Sequence, residues 1–179
     1  MANSAPASTL EIRRLDAVDE TQLQALADVL VDCVEGGASV SFMLPITRQR
    51  ALAFWRKVAD GVARRERVLL VAEDADGIVG TVQLILDLPE NQPHRADVAK
   101  MLVHRRARRQ GAGAALMRAA EAEALREGRT LLVLDTADDT AARLYARLGW
   151  QAAGTIPRYA LLPVGGECAT TYFYRSLTA

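Results

Sequence analysis

The feature that most constrains this chain is the stretch from Asp97 to Met117, DVAKMLVHRRARRQGAGAALM. Asp97 to Val103 reads as a buried strand opened by a carboxylate. His104 to Gln110 is a basic turn, and Gly111 to Met117 starts a helix with two glycines and little side-chain bulk. A helix start leaves its first N–H groups unpaired and carries partial positive charge, and glycine lets a ligand approach those groups closely. The stretch therefore predicts an anion held against bare main-chain donors.

The flanking sequence supplies a sheet and helices around that unit. Leu10 to Leu15 alternates as a first strand. Asp19, with Gln22 three residues on, is a capping box for a helix that ends before Gly36-Gly37. Gly36 to Ile46 (GGASVSFMLPI) is an apolar loop of the kind that lines a pocket or covers a core. Thr47 caps a second helix, in which Gly61 weakens the last turn. Val68 to Glu73 and Ile78 to Leu88 are strands joined by the hairpin turn Asp74 to Gly77. Leu88 to His94 is a breaker-rich loop. Gly128 stops the helix that starts at Gly111. The apolar run Thr130 to Asp135 predicts a strand covered on both faces. Asp138 or Asp139 caps the next helix, which Gly149 terminates. Trp150 to Ile156 and Thr170 to Ser176 close the sheet as an antiparallel pair around a loop, Pro157 to Ala169. The order predicts a mixed α/β sheet, hairpin-rich first, with one crossover unit and helices on both faces.

Composition sets the class. The 179 residues suffice for one domain, expected over 10–179 behind a flexible leader at 1–9. Lys+Arg and Asp+Glu are both 22, so formal charge is zero. That argues against a dedicated nucleic-acid or membrane-surface protein. No apolar run approaches ~18 residues, and the first nine residues lack the form of a signal peptide, so the expectation is a cytoplasmic chain. Cys33 and Cys168 have neither C-x-x-C nor metal-ligand spacing and read as two free thiols; no metal site is expected.

Gly111-Ala112-Gly113 invites a dinucleotide-binding reading, with Asp135 near the position of a ribose-binding acid. However, Leu116 stands where that fingerprint wants Gly or Ala, and the preceding loop is a run of arginines rather than a tight turn. A better fit is Arg108-Arg109-Gln110-Gly111-Ala112-Gly113, which resembles the R/Q-x-x-G-x-G/A segment of the GCN5-related N-acetyltransferases (GNAT family). Downstream, Ala141 to Trp150 (AARLYARLGW) resembles the family's A-x-x-L-Y-x-x-L-G-F/W segment. The two occur in order with a strand between them, and the resemblance spans about Leu10 to Leu177. Within the family the chain looks most like the tabtoxin-resistance acetyltransferases, through the GGASVSFM loop, the segment Asn91 to Met101 and the LDT strand end.

The resemblance implies the GNAT fold: a mixed, mostly antiparallel sheet of about six to seven strands with a central splayed parallel pair. It implies acetyl-CoA as cofactor, with its pyrophosphate on the amides of Gln110, Gly111, Ala112, Gly113 and Ala114 and on Arg108 and Arg109. Pantetheine would pair with the backbone of Met101, Leu102 and Val103, where one N–H holds the oxyanion. Arg105 and Arg106 read as ordinary surface, and His94 and His104 as surface histidines. Asp97 matches the position of a family glutamate that takes the amine proton, usually through water. Asp135 is the second candidate base. Tyr145 matches the tyrosine that protonates the departing thiolate. Asp138 stands where the family often has Asn, and an ionised acid cannot donate a hydrogen bond to a cofactor.

These readings predict an N-acetyltransferase acting on a small amine-bearing acceptor, a toxin, antibiotic or metabolite, as a monomer or homodimer without nucleic-acid or membrane partners. Two other readings remain open: an acyl-CoA-binding module without turnover, and an enzyme acetylating a protein N-terminus or lysine.

Overall fold

The computed structural model describes residues 10–178; the leader expected at 1–9 lies outside them. Seven strands form one sheet in the order β1-β2-β3-β4-β5-β7-β6. They are β1 Glu11–Leu15, β2 Arg67–Asp74, β3 Gly77–Ile85, β4 Arg95–Val103, β5 Leu131–Thr136, β6 Gln151–Leu161 and β7 Glu167–Ser176. The helices are α1 Glu20–Glu35, α2 Arg48–Ala63, α3 Ala112–Arg126 and α4 Asp139–Arg147, with a short 3-10 turn at Arg105–Ala107. All strand pairs are antiparallel except β4–β5.

Helix starts follow the sequence chemistry. The Asp19 carboxylate accepts from Gln22 N–H at 2.8 Å, and the Gln22 side chain accepts from Asp19 N–H at 2.9 Å. Thr47 Oγ1 accepts from Arg50 N–H at 3.2 Å. Of the two candidates for α4, Asp138 is the cap. Gly61 does not end α2. It lies inside the helix, and the Arg67 side chain packs 3.0 Å from where its Cβ would be.

Two apolar clusters sandwich the sheet. α3 and α4 cover Leu70, Val82, Val98, Leu132 and Leu134 on one face. α1 and α2 cover Leu69, Val71, Ile78 and Leu102 on the other. At about 0.8 kcal/mol per buried methylene, these two clusters supply most of the driving force for folding.

Several boundaries differ from the expectation. β3 stops at Ile85 rather than Leu88, because Leu86 N–H leaves the ladder to bond the Glu66 carbonyl at 2.8 Å. β4 begins at Arg95, ahead of Asp97. The expected loop Pro157–Ala169 is mostly strand: β6 runs to Leu161 and β7 restarts at Glu167. Pro157 is tolerated because it sits in a register shift between Ile156 and Ala160 on an edge strand, where no ladder N–H is required. β5 is covered on one face only. Leu132 and Leu134 are buried, whereas Val133 is half-buried and Asp135 exposed.

Candidate functional site

β4 and β5 run side by side for three pairs, Arg95–Leu131, Ala96–Leu132 and Asp97–Val133, and then part. Beyond the fork, β4 stays bonded to β3, and β5 to β7. The β4 edge facing the gap therefore has main-chain groups without a strand partner, in position to pair with an extended ligand. A register shift on the β3 side lies beside the fork. Val82 stands opposite both Lys100 and Met101, a β-bulge, and Lys100 adopts φ 51°.

A cleft of about 970 Å³ runs through this gap, bounded by the α1–α2 loop, the start of α3, α4 and the β6–β7 hairpin. At one end is the α3 N-terminus. Gly111 is its cap with φ 85°, a left-handed conformation that disfavours any side chain. The first bond into the helix is Ala115 N–H to the Gly111 carbonyl, 3.0 Å, and no side chain caps the turn. The N–H groups of Ala112, Gly113 and Ala114 are thus left to a ligand. A Cβ at Gly113 would stand 3.1 Å from Leu144 Cδ2, so glycine there lets α3 and α4 approach.

The basic turn is less free than its sequence suggests. Arg105 donates from its N–H (2.9 Å) and Nε to the buried Asp32 of α1, and His104 Nε2 lies 3.5 Å from the same carboxylate. Arg106 pairs with Asp74. These two arginines and His104, expected as ordinary surface, are the ties that fix the loop. Arg108 Nε donates to the Val103 carbonyl at 3.2 Å, beside Cys33. Arg109 is exposed on the cleft wall. Gln110 does not line the cleft; its Nε2 donates to the Arg106 carbonyl at 3.1 Å.

At the other end lie the acids. The face shared with α1 and α2 carries Asp97 and Ala99 from β4, and Val133 and Asp135 from β5, by strand alternation. Asp135 lines the cleft, and Thr170 Oγ1, on β7, donates to its Oδ2 at 2.7 Å. Asp97 sits at the crotch of the fork, just behind the cleft wall. Arg95 Nη2 donates to its Oδ2 at 3.4 Å and stands 3.3 Å from its Oδ1, which is buried and makes no hydrogen bond of its own. Burial raises the Asp97 pKa above the usual carboxylate range; Arg95 opposes this and Asp135 adds to it. A half-desolvated carboxylate that readily takes a proton is suited to a base.

Tyr145 is 4% exposed and lines the cleft from α4. Its ring packs against Phe173 (centroids 5.8 Å) and Trp150 (6.0 Å), so it belongs to the core and the cleft at once. Burial, reinforced by Asp138 and Asp135, pushes its phenol well above the ordinary value, which keeps it protonated. The Asp138 carboxylate accepts from Ala141 N–H at 2.8 Å and is committed to capping α4. Met101 and Val103 pack toward α3, and Leu102 toward α1.

Two residues at this end had no place in the sequence reading, Lys100 and Tyr172; Tyr159 belongs to the closing loop from Pro157 that was expected to border the acceptor. Lys100 enters the cleft on the bulge. Tyr159 and Tyr172 touch hydroxyl to hydroxyl at 2.9 Å, and Tyr172 pairs with Asp135 across β5–β7; the contact with Tyr159 pushes the Tyr172 phenol up to about 12. A bulge has no sequence pattern of its own; Tyr159 falls in what read as a loop, and Tyr172 in the expected strand Thr170 to Ser176, where its contact with Tyr159 depends on how β6 and β7 pair.

Residues 65–152 match the model of the acetyltransferase (GNAT) domain. Solved structures agree over nearly the whole chain. An N-acetyltransferase from Staphylococcus aureus Mu50 is 17% identical with a TM-score of 0.79, covering 96% of this chain and 100% of its own. A GCN5-related N-acetyltransferase from Kribbella flavida is 23% identical with a TM-score of 0.76, covering 94% and 98%. A structure from Salmonella typhimurium, designated an acetyltransferase and determined with its cofactor acetyl-CoA, is 19% identical with a TM-score of 0.75, covering 94% of each chain. Among the described residues no helix is long and apolar enough to cross a membrane.

Proposed function

We propose that this chain, an acyltransferase that carries a GNAT domain on the GNAT fold and uses acetyl-CoA, transfers the acetyl group to a small acceptor amine by direct attack. The observation that carries the reading is the fork beyond Asp97–Val133, with bare helix N–H groups at one end and two carboxylates at the other. Acetyl-CoA supplies the activated acyl group and a thiolate leaving group.

The chain's own residues account for the rest. The N–H groups of Ala112 to Ala114 and the guanidiniums of Arg108 and Arg109 bind the diphosphate. The β4 edge at Met101 to Val103, where the Val103 carbonyl already accepts from Arg108 and Cys33, orients the pantetheine arm, and an N–H there donates to the thioester carbonyl oxygen as charge develops. Asp135 takes the amine proton, directly or through water, and Asp97 shares that role through a water at the fork. A base is needed because an alkyl amine with pKa near ~10.4 is mostly protonated at neutral pH. A C–N bond forms, the C–S bond breaks, and Tyr145 gives its proton to the sulfur.

The acceptor mouth joins the Gly37 to Met43 loop, Asp135 and Tyr159. Of the features similar to tabtoxin-resistance acetyltransferases, the GGASVSFM loop lines the cleft throughout and the Asn91 to Met101 segment through Val98 to Met101. A toxin or antibiotic amine is therefore within the proposed class.

The test is calorimetric titration with acetyl-CoA, followed by thiol release against a panel of small amines. The reading expects a dissociation constant between ~1 μM and ~1 mM and amine-dependent thiol release. No binding at millimolar acetyl-CoA would overturn it. Binding without release against any amine would favour a module that senses acyl-CoA without turnover.

A further inference from the structure

Lys100 is the residue of the acceptor mouth that this mechanism leaves without a task. The β4 bulge decides where it points. Ala96 and Val98 face α3, and so do Met101 and Val103. The extra residue between the two alternating sets is Lys100, which the bulge turns to the α1–α2 face, the face of Asp97 and Asp135. Its Nζ lies 3.4 Å from Ser41 Oγ in the α1–α2 loop and 5.7 Å from the centre of the Phe54 ring.

Three observations show that this cation is underused. It has three donors, and only one meets an acceptor, at a long distance. Among the described residues no carboxylate lies within 4 Å of it, although Asp97 has Arg95 and Asp32 has Arg105. Lys100 and Ser41 both adopt positive φ, 51° and 75°, where a residue with Cβ costs about 1–2 kcal/mol relative to the right-handed region. Strain of this kind concentrates at ligand sites. Beneath the cleft lining, two buried donors are also unpaired. Gln83, opposite Ala99, is fully buried with its Nε2 unpaired, and Trp55, next to Phe54, has Nε1 unpaired.

We propose that Lys100 is a specificity determinant that takes a carboxylate of the acceptor, so that the acceptor is a compact amino acid-type molecule bearing a free amine and a carboxylate. The proposal rests on the acetyltransferase reading and deepens it. The two ends of such a molecule match the mouth: the amine lies toward Asp97 and Asp135, and the carboxylate toward Lys100 and Ser41. Burial pulls the Lys100 pKa down, Asp135 supports its charge and the Arg67 guanidinium adds to the lowering; an incoming carboxylate would restore what these remove.

The experiment compares kcat/KM for L-methionine, L-glutamate and L-phenylalanine with that for their α-carboxamides, in wild type and in Lys100→Met and Lys100→Arg. The readout is the acid-to-amide ratio within each protein, because α-carboxamides have intrinsically less basic amines. A charge-assisted hydrogen bond of this kind corresponds to roughly 10–100-fold. Lys100→Met is expected to lower the ratio by that factor through loss of activity on the acid, while amide activity and acetyl-CoA affinity by calorimetry stay within about 3-fold. Lys100→Arg is expected to keep part of the ratio. An equal loss on acids and amides, or an unchanged ratio in Lys100→Met, would overturn the assignment, as would amines other than these being the only substrates. Failure of acetyl-CoA to bind wild type would instead strike the acetyltransferase reading itself.

Discussion

Asp97 and Val133 are the last residues at which β4 and β5 stand opposite one another in register. Past them each strand keeps only its outer partner, and the space between becomes the cleft. One pairing thus positions a carboxylate at the closed end of a gap whose open end meets the bare start of α3. The arrangement yields predictions at each end.

Gly111 holds φ 85° with open space where a Cβ would go. Gly111→Ala is expected to cost about 1 kcal/mol from backbone strain alone, a fall of roughly 2–4 °C in Tm. Gly113 is limited by packing: Gly113→Ala needs Leu144 to give only slightly, whereas Gly113→Leu would force α3 from α4. Thermal melts with calorimetric titration separate the two. The leucine variant is expected to lose at least about 10-fold in acetyl-CoA affinity, the amount of a ~1.4 kcal/mol disturbance.

Tyr145 has both an aromatic packing role and a protonated hydroxyl. Tyr145→Phe keeps the ring among Phe173 and Trp150. It is expected to lower kcat by roughly 10²-fold, the lower range for a general acid, with little change in Tm or acetyl-CoA affinity. A kcat within a factor of two of wild type would remove Tyr145 from the proton path.

The sequence placed this cleft with uneven success, for physical reasons. The GAG turn, the Asp19 box and the AARLYARLGW helix were legible because caps, glycines and 3.6-residue periodicity are local. The fork was expected only through the family resemblance, as a splayed parallel pair, and the bulge not at all, since both depend on which strands pair and where pairing stops. The same limit explains the arginine run. Arg105 and Arg106 looked like solvent-exposed charge until Asp32 and Asp74, 73 and 32 residues away in sequence, were brought beneath them. Lys100 was hidden because only the bulge turns it to the acceptor face.

Asp97 yields a pH prediction. Its folded-state pKa is raised above the ordinary 3.8, chiefly by burial. The protonated form is therefore favoured by folding, and that stabilisation is present at low pH and lost as pH rises through the folded value. Asp97→Asn keeps an uncharged group at all pH. It is expected to raise Tm relative to wild type at pH 7–8, with the difference closing toward about pH 4, while kcat/KM falls. Melts across pH 4–8 check it; a lower Tm for the variant at pH 8 would show that the Arg95 contact outweighs burial.

Asp32 is 8% exposed and accepts from Arg105 N–H at 2.9 Å as well as from its guanidinium. Asp32→Ala strands that N–H and frees the loop before α3. Expected is a loss of about 1–3 kcal/mol by denaturant titration, the cost of an unsatisfied buried group. A smaller loss in acetyl-CoA affinity should follow from the freed loop. No stability change would mean that the pair is incidental.

The most direct test of the central claim is backbone amide exchange with and without coenzyme A. The account predicts added protection at Ala112, Gly113 and Ala114 and along Met101 to Val103, with β2 and the outer strand β6 unchanged. Protection elsewhere, with those amides exchanging as freely as before at saturating coenzyme A, would contradict it.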